Sequence, residues 1–194
     1  MNKNIHYIDV KSENAVEILG ELFLEKIQNE IFSHRRLIIL CIGTDRATGD
    51  CLGPITGHLL DSSINRHYVS IYGTLDKPVH AKNIRQTLDY IHAAYNDPFI
   101  AAVDACLGKS ESVGYITIGE GPVNPGAGLS KTLPTAGNIS ITGIVNVATG
   151  MDFSVLQNTR LNLVMKMAEV INSGIGLGLE NFEKSYGRMD EKII

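Results

Sequence analysis

Two aspartates follow two predicted buried strands and have the chemistry for acid–base work. Asp50 lies in the loop after the apolar run 36–42, and Asp104 directly follows the apolar run 99–103. If these strands are neighbours, both carboxylates face one crevice at the carboxyl ends of the strands. Two close carboxylates cannot both ionise cheaply, so they share a proton, and one then acts as base and the other as acid. That chemistry suits peptide-bond hydrolysis.

Other roles for the same two aspartates stay open. The pair could hold a divalent metal, Asp50 could cap the following helix, and Asp104 could tie down the loop 106–112. The sequence contains neither His-Glu-x-x-His nor a Cys/His cluster, which argues against zinc. We therefore predict a site without metal or cofactor.

A long irregular segment, residues 119–137, is the second unusual feature. It is rich in Gly and Pro, and long loops of this kind are usually functional or disordered. Its N–H groups could form a nest for an anion or an oxyanion, and Lys131 could stabilise a developing negative charge. A merely flexible surface loop is the alternative.

Apolar runs that alternate with helical patterns must position these residues. Strands are predicted at 36–42, 67–72, 99–103, 114–118 and 138–147, and helices at 13–33, 53–64, 80–95 and 153–171. This order predicts an α/β fold, a three-layer sandwich with a mostly parallel sheet and helices on both faces. Residues 1–194 are predicted to form a single domain, with a flexible tail from Gly174.

Composition excludes several classes of protein. The 194 residues are 44% hydrophobic and 20% charged, which is ordinary for a globular protein. Seventeen Lys and Arg against 21 Asp and Glu give 17 − 21 = −4, which disfavours a nucleic-acid surface. The sequence contains no run of about 20 apolar residues, so no membrane-spanning helix is predicted. Three cysteines without metal spacing are typical of reduced thiols, so we expect a cytoplasmic protein.

The loop residues resemble two motifs of the bacterial spore germination protease. Residues 42–54 (Ile-Gly-Thr-Asp-Arg-Ala-Thr-Gly-Asp-Cys-Leu-Gly-Pro) resemble its first motif, Gly-Asn, a short spacer, then Thr-Pro-Asp-Ala-Leu-Gly-Pro. Residues 103–105 (Val-Asp-Ala), with 125–128 (Pro-Gly-Ala-Gly) downstream, resemble its second. The whole chain is similar to the YyaC-type sporulation proteins, a spore-protease-like family of about this length. The hydrogenase maturation proteases share the fold.

The resemblance implies a phosphorylase/hydrolase-like sandwich with the activity of an aspartate-dependent endopeptidase. Asp50 and Asp104 fall on the two aspartates taken as catalytic in the germination protease, whose substrates are small acid-soluble spore proteins. This chain departs from the first motif, with Thr44 for Asn and Gly49 for Pro. The predicted substrate-binding residues are Gly43, Thr44, Asp45, Arg46, Pro125, Gly126, Gly128, Ser130 and Lys131.

Three functions are weighed. The first is an endopeptidase of the sporulating cell or forespore, acting on a protein or peptide substrate, with no nucleic-acid or membrane partner. The second is a catalytically inactive relative that serves as a binding or scaffold protein in sporulation. It is suggested by the departures in the first loop and by the segment 128–131, which is shorter than the Gly-Val-Gly-Asn-Lys-Arg stretch of the protease. The third is a metal-dependent hydrolase that uses Asp50, Asp104 and one His. A homo-oligomer stays open.

Overall fold

A computed structural model describes residues 5–33, 35–125 and 133–187 as an α/β fold around one six-stranded sheet. The order across the sheet is β1-β5-β6-β4-β2-β3. The strands are β1 (Ile5–Asp9), β2 (Leu37–Cys41), β3 (Val69–Tyr72), β4 (Phe99–Gly108), β5 (Tyr115–Glu120) and β6 (Ile139–Val147). The helices are α1 (Ala15–Phe32), α2 (Leu52–Ser63), α3 (Ile84–Ala94), α4 (Asp152–Gln157) and α5 (Leu161–Tyr186).

The sheet is mixed rather than mostly parallel. The pairs β2–β3, β2–β4 and β4–β6 are parallel, whereas β5 pairs antiparallel with both β6 and β1. Only residues 109–114 join β4 to β5, and a crossover between parallel strands needs about a dozen residues or more. The chain therefore turns back, and β5 runs against its neighbours. The polar N-terminal segment gave no strand signal, yet it supplies the edge strand β1.

Side chains alternate between two apolar clusters on opposite faces of the sheet. On one face, Leu37, Ile39 and Cys41 of β2 pack in the cluster formed with α1, α2 and α5. On the other face, Ile38 and Leu40 pack in the cluster formed with α3. Every residue of β2 is buried, as its continuous apolar run predicts. The layering agrees with a three-layer sandwich in which one outer layer is a single helix.

The segment expected to be a loose tail from Gly174 is instead helical as far as Tyr186. Glycines indicated a loop, but here they allow close helix packing. A Cβ on Gly174 would lie 2.8 Å from Leu19, and one on Gly178 would lie 2.9 Å from the carbonyl oxygen of Gly20. The missing side chains let α5 pack tightly against α1, and Phe182 is fully buried there. Among the described residues, no helix is both long and apolar enough to cross a membrane.

Candidate active site

Asp104 lies within β4, between the parallel neighbours β2 and β6. It directly follows Val103, which pairs with Cys41 at the end of β2. By alternation its side chain is on the α3 side of the sheet, as are those of Ile100 and Ala102. The residue is only 8% exposed, and one carboxylate oxygen accepts the Ala105 N–H at 2.8 Å. Among the described residues, the other oxygen accepts no hydrogen bond, so it is available to carry a proton.

Asp50 is brought to the end of β2 by a tightly folded loop. It lies in a short 3-10 helix, Thr48–Cys51, and its N–H donates to the carbonyl of Ala47 at 2.9 Å. Its own carbonyl accepts the Thr44 N–H at 3.2 Å, which closes the loop. Gly43 permits this approach because its φ is +146° and a Cβ there would lie 2.0 Å from the Asp50 carbonyl oxygen. Two backbone hydrogen bonds, to Ala47 and from Thr44, therefore hold Asp50 in place within this loop.

The two carboxyl groups interact electrically, and both have raised pKa values. Burial raises the pKa of Asp50 to about 6, against the lowering effects of the Thr44 backbone and of His80. Burial also raises the pKa of Asp104 well above its ordinary value, and the negative charge of Asp50 raises it further. Ionised Asp50 is therefore favoured above about pH 6, while burial and the charge of Asp50 favour the protonated form of Asp104. Two coupled carboxyls with raised pKa values are the arrangement expected for an acid and a base that work together.

These shifts predict that replacing either ionisable carboxyl group by an amide stabilises the protein at alkaline pH. A folded-state pKa above the unfolded value means that the folded state binds more protons. The free energy of unfolding therefore falls as the pH rises from the unfolded pKa to the folded pKa, which for Asp50 is from 3.8 to about 6. Asp104→Asn and Asp50→Asn should therefore unfold at higher temperature than wild type at pH 8. The gain should shrink towards pH 4, where the carboxyls are protonated. A gain of 1 kcal/mol in the free energy of unfolding corresponds to a rise in Tm of about 2–4 °C in a protein of this size. Thermal melts of both variants across pH measure this, and equal gains at pH 4 and pH 8 would contradict it.

A row of hydroxyls continues from Asp104 across the sheet. Thr142 of β6 is the register partner of Asp104, and Thr117 of β5 is the register partner of Thr142. The two threonine hydroxyls lie 2.6 Å apart, and the Cys106 thiol donates to Thr142 at 3.7 Å. Sequence reasoning gave neither threonine a role in the site, because only the strand register places Thr142 beside Asp104 and Thr117 beside Thr142.

The cysteines near the site are neutral thiols. Burial raises the pKa of Cys51 and of Cys106, and the adjacent aspartates raise both further. Burial also raises the pKa of Cys41 strongly. Because a thiolate is the nucleophilic form, these shifts argue against a cysteine mechanism.

His80 is the one histidine that acts on the pair electrostatically among the described residues. Its positive charge would favour the ionised form of Asp50. The sequence placed His80 only at a helix start after Pro78. Its approach to Asp50 comes from the Gly43 N–H, which donates to the Val79 carbonyl at 2.8 Å.

The predicted substrate-binding residues divide into two groups. Gly43 is buried, Thr44 is half-buried, and Asp45 and Arg46 are exposed on the loop that carries Asp50. Pro125 is buried at the end of the described part of the glycine-rich segment. The remaining predicted residues, Gly126, Gly128, Ser130 and Lys131, lie outside the described residues. Within the described ranges, no group of three or more His, Cys, Asp or Glu is arranged to hold a metal ion.

A cleft of about 880 Å³ runs along the outer edge of β3. Neither Asp50 nor Asp104 lines it, so the cleft is not the crevice that the sequence predicted around these two residues. His80 does line it, together with Val79. One wall residue of the cleft is therefore the histidine whose charge acts on Asp50.

The fold and site together define an α/β protein with a coupled aspartate pair beside the ends of adjacent parallel strands. The chain belongs to the family described as "Protein of unknown function (DUF1256)", whose model matches residues 7–174. It is 52% identical over 142 residues to a protein of Bacillus subtilis (strain 168) named "Uncharacterized protein YyaC". That match covers 73% of this chain and 68% of the relative. The expected likeness to YyaC-type proteins is confirmed, and kinship with the germination protease stays a prediction.

Proposed function

We propose that this protein is an aspartate-dependent endopeptidase of sporulating cells. The observation that carries the proposal is the electrostatic coupling of Asp50 and Asp104, two carboxyls whose pKa values are both raised by burial. The resemblance of both loops to those of the spore germination protease points to a peptide bond as the target. Spore proteins are the substrate class that this resemblance suggests.

The proposed reaction assigns one proton movement to each carboxyl group. Asp50 takes a proton from water as the water oxygen attacks the peptide carbonyl carbon, and Asp104 gives its proton to the carbonyl oxygen. The diol that forms returns a proton to Asp104 as the C–N bond breaks. The departing nitrogen takes the proton held by Asp50. Water and the peptide bond become a carboxylic acid and an amine, and both aspartates regain their starting states.

The pH dependence of cleavage tests this assignment. With β-casein as an unfolded probe substrate, kcat/KM should rise with an apparent pKa near 6 as Asp50 ionises. It should fall again at higher pH, as the proton held by Asp104 is lost. The two apparent values belong to the pair. A profile without an acidic limb between pH 5 and pH 7 would contradict the proposal.

His80→Gln should move the acidic limb of this profile to higher pH. The substitution removes a positive charge that favours ionised Asp50, so the pKa of Asp50 rises. The expected displacement is up to about one pH unit, on the order of 1.4 kcal/mol. His92→Gln is the matched control, because His92 is exposed in the last turn of α3. If the two variants gave the same profile as wild type, His80 would have no role in setting that pKa.

A binding or scaffold protein is the second candidate. The favouring observation is that neither Asp50 nor Asp104 lines the cleft beside β3, so the cleft could bind a partner without catalysis. Complementation of a sporulation defect separates the two proposals. A peptidase requires that Asp50→Asn and Asp104→Asn fail to complement, whereas a scaffold requires that both succeed.

A further inference from the structure

We propose that the cleft beside β3 binds an extended, basic polypeptide segment as an added strand. The inference deepens the proposed function, because it names the conformation and charge of the substrate. Binding itself does not depend on cleavage. The argument rests on the open edge of β3, on the walls and charges of the cleft, and on the path from the cleft to Asp50.

The edge of β3 offers main-chain groups to a partner strand. The Leu37 N–H donates to the Tyr68 carbonyl at 3.0 Å, so Tyr68, and by alternation Ser70 and Tyr72, direct their main-chain groups towards β2. Val69 and Ile71 then face away from β2. The Val69 N–H is already used, because it donates to the Arg66 carbonyl at 3.0 Å. The N–H and carbonyl of Ile71 are left facing the cleft, where an extended peptide can pair with both.

Two helices wall this edge, so the cleft is a groove rather than a bare strand edge. Asp61 and Ile64 line it from α2 and the residue after that helix, while Asn83 and Thr87 line it from the start of α3. Its volume of about 880 Å³ is within the usual range for ligand sites.

The charges of the groove favour a basic occupant. Asp61 and Asp76 both line it and are exposed, and neither has an ion-pair partner among the described residues. Lys77 is the cation beside Asp76. With the His80 ring neutral, two carboxylates against one ammonium leave a negative groove, which complements Lys or Arg side chains on the bound segment.

The groove leads towards the aspartate pair. Beyond β3 the chain continues to Val79, which forms a parallel bridge with Ile42, the residue after β2. Val79 and His80 line the groove, and the loop that begins at Gly43 carries Asp50. A segment paired with Ile71 and running past His80 would approach the loop of Asp50.

Fluorescence anisotropy with two probe peptides tests this site. Each peptide is fluorescein-labelled, about eight residues long, and alternates Thr with either Lys or Glu. Binding is measured on the full-length Asp104→Asn protein, so that cleavage does not interfere. We expect the Lys peptide to bind about threefold to tenfold more tightly than the Glu peptide, since each exposed ion pair is worth about 0.2–1 kcal/mol. Equal Kd values for the two peptides would overturn the proposal.

Charge reversal localises the preference. Adding both Asp61→Lys and Asp76→Lys should make the protein bind the Glu peptide more tightly than the Lys peptide. Adding Asp89→Lys, on the exposed side of α3, should leave the preference for the Lys peptide unchanged. Both reversals are at exposed positions, so the variant should fold. An unchanged preference in the double variant would overturn the proposal.

Hydrogen exchange tests the added strand itself. Saturation with the Lys peptide should slow exchange of the Ile71 amide at least about tenfold, and unchanged exchange would overturn the strand pairing. The two proposals can fail separately. If the Lys peptide binds in the groove but wild type does not cleave it, the binding proposal holds and the peptidase proposal is refuted. Cleavage of the Lys peptide with unchanged Ile71 exchange would do the reverse.

Discussion

Asp50→Asn and Asp104→Asn should each reduce cleavage of an unfolded protein by at least about 100-fold, the range expected when a general acid or base is lost. Asn keeps the size of Asp but can neither take a proton from water nor deliver one to the carbonyl oxygen. The loss should appear in kcat, because proton transfer belongs to the chemical step. Single-turnover cleavage of β-casein by each purified variant measures it. Asp89→Asn, an exposed change on α3, is the matched control.

Stability separates a catalytic role from a structural one in the same variants. If the aspartates only capped a helix or tied down a loop, Asn would be neutral or destabilising. The raised pKa values instead predict variants that are inactive and more stable at pH 8. An Asn variant that kept wild-type kcat would refute the acid–base assignment. A variant that lost activity together with its cooperative unfolding transition would support a structural role.

Gly53→Ala should destabilise the protein by about 2–3 kcal/mol or more, the cost of forcing atoms into a packed interior. A Cβ on Gly53 would lie 2.0 Å from the Ile42 carbonyl oxygen and 2.7 Å from the Ile42 nitrogen. These are backbone atoms of the chain leaving β2, which cannot rotate away. The start of α2 must therefore shift, and Asp50 shifts with it. Urea unfolding gives the stability change, and the same sample gives the loss of cleavage.

Gly176→Ala is the control for this substitution. Gly176 is in α5, and a Cβ there would meet nothing within 4 Å. Because Ala loses less backbone entropy on folding, the control should be neutral or more stable by up to about 1 kcal/mol. If Gly53→Ala were as stable and as active as Gly176→Ala, tight packing of α2 against the end of β2 would not position Asp50.

The fold was largely predictable where one element buries a continuous face. The apolar runs predicted β2 and the start of β4 within a residue or two, and helical spacing predicted α1, α2 and α3. The mixed sheet was not predicted, because strand direction depends on connection length and pairing rather than on composition. The C-terminal half of α5 was missed for a related reason. Gly174 and Gly178 indicate a loop locally, and only the partner α1 explains them as helix contacts.

The sequence predicted that two aspartates lie at neighbouring strand ends, but it did not predict the residues around them. The positions of Asp50 and Asp104 after buried runs, together with the rule for strand ends, brought them to adjacent strands. Thr142 gave no signal, since its role depends on the register of β6 against β4. His80 was one of several unremarkable histidines until the bridge between Ile42 and Val79 placed it near Asp50. Long-range register carries information that local pattern does not.

The measurement that tests the coupled pair most directly is a carbon-13 NMR titration of the Asp side-chain carboxyls in wild type and Asp50→Asn. Wild type should show Asp50 titrating near pH 6, while Asp104 keeps its proton to higher pH. In Asp50→Asn the pKa of Asp104 should fall, because the neighbouring negative charge is gone, yet stay above its ordinary value because of burial. Two carboxyls that titrate independently near pH 4, with Asp104 unaffected by the substitution, would contradict the account.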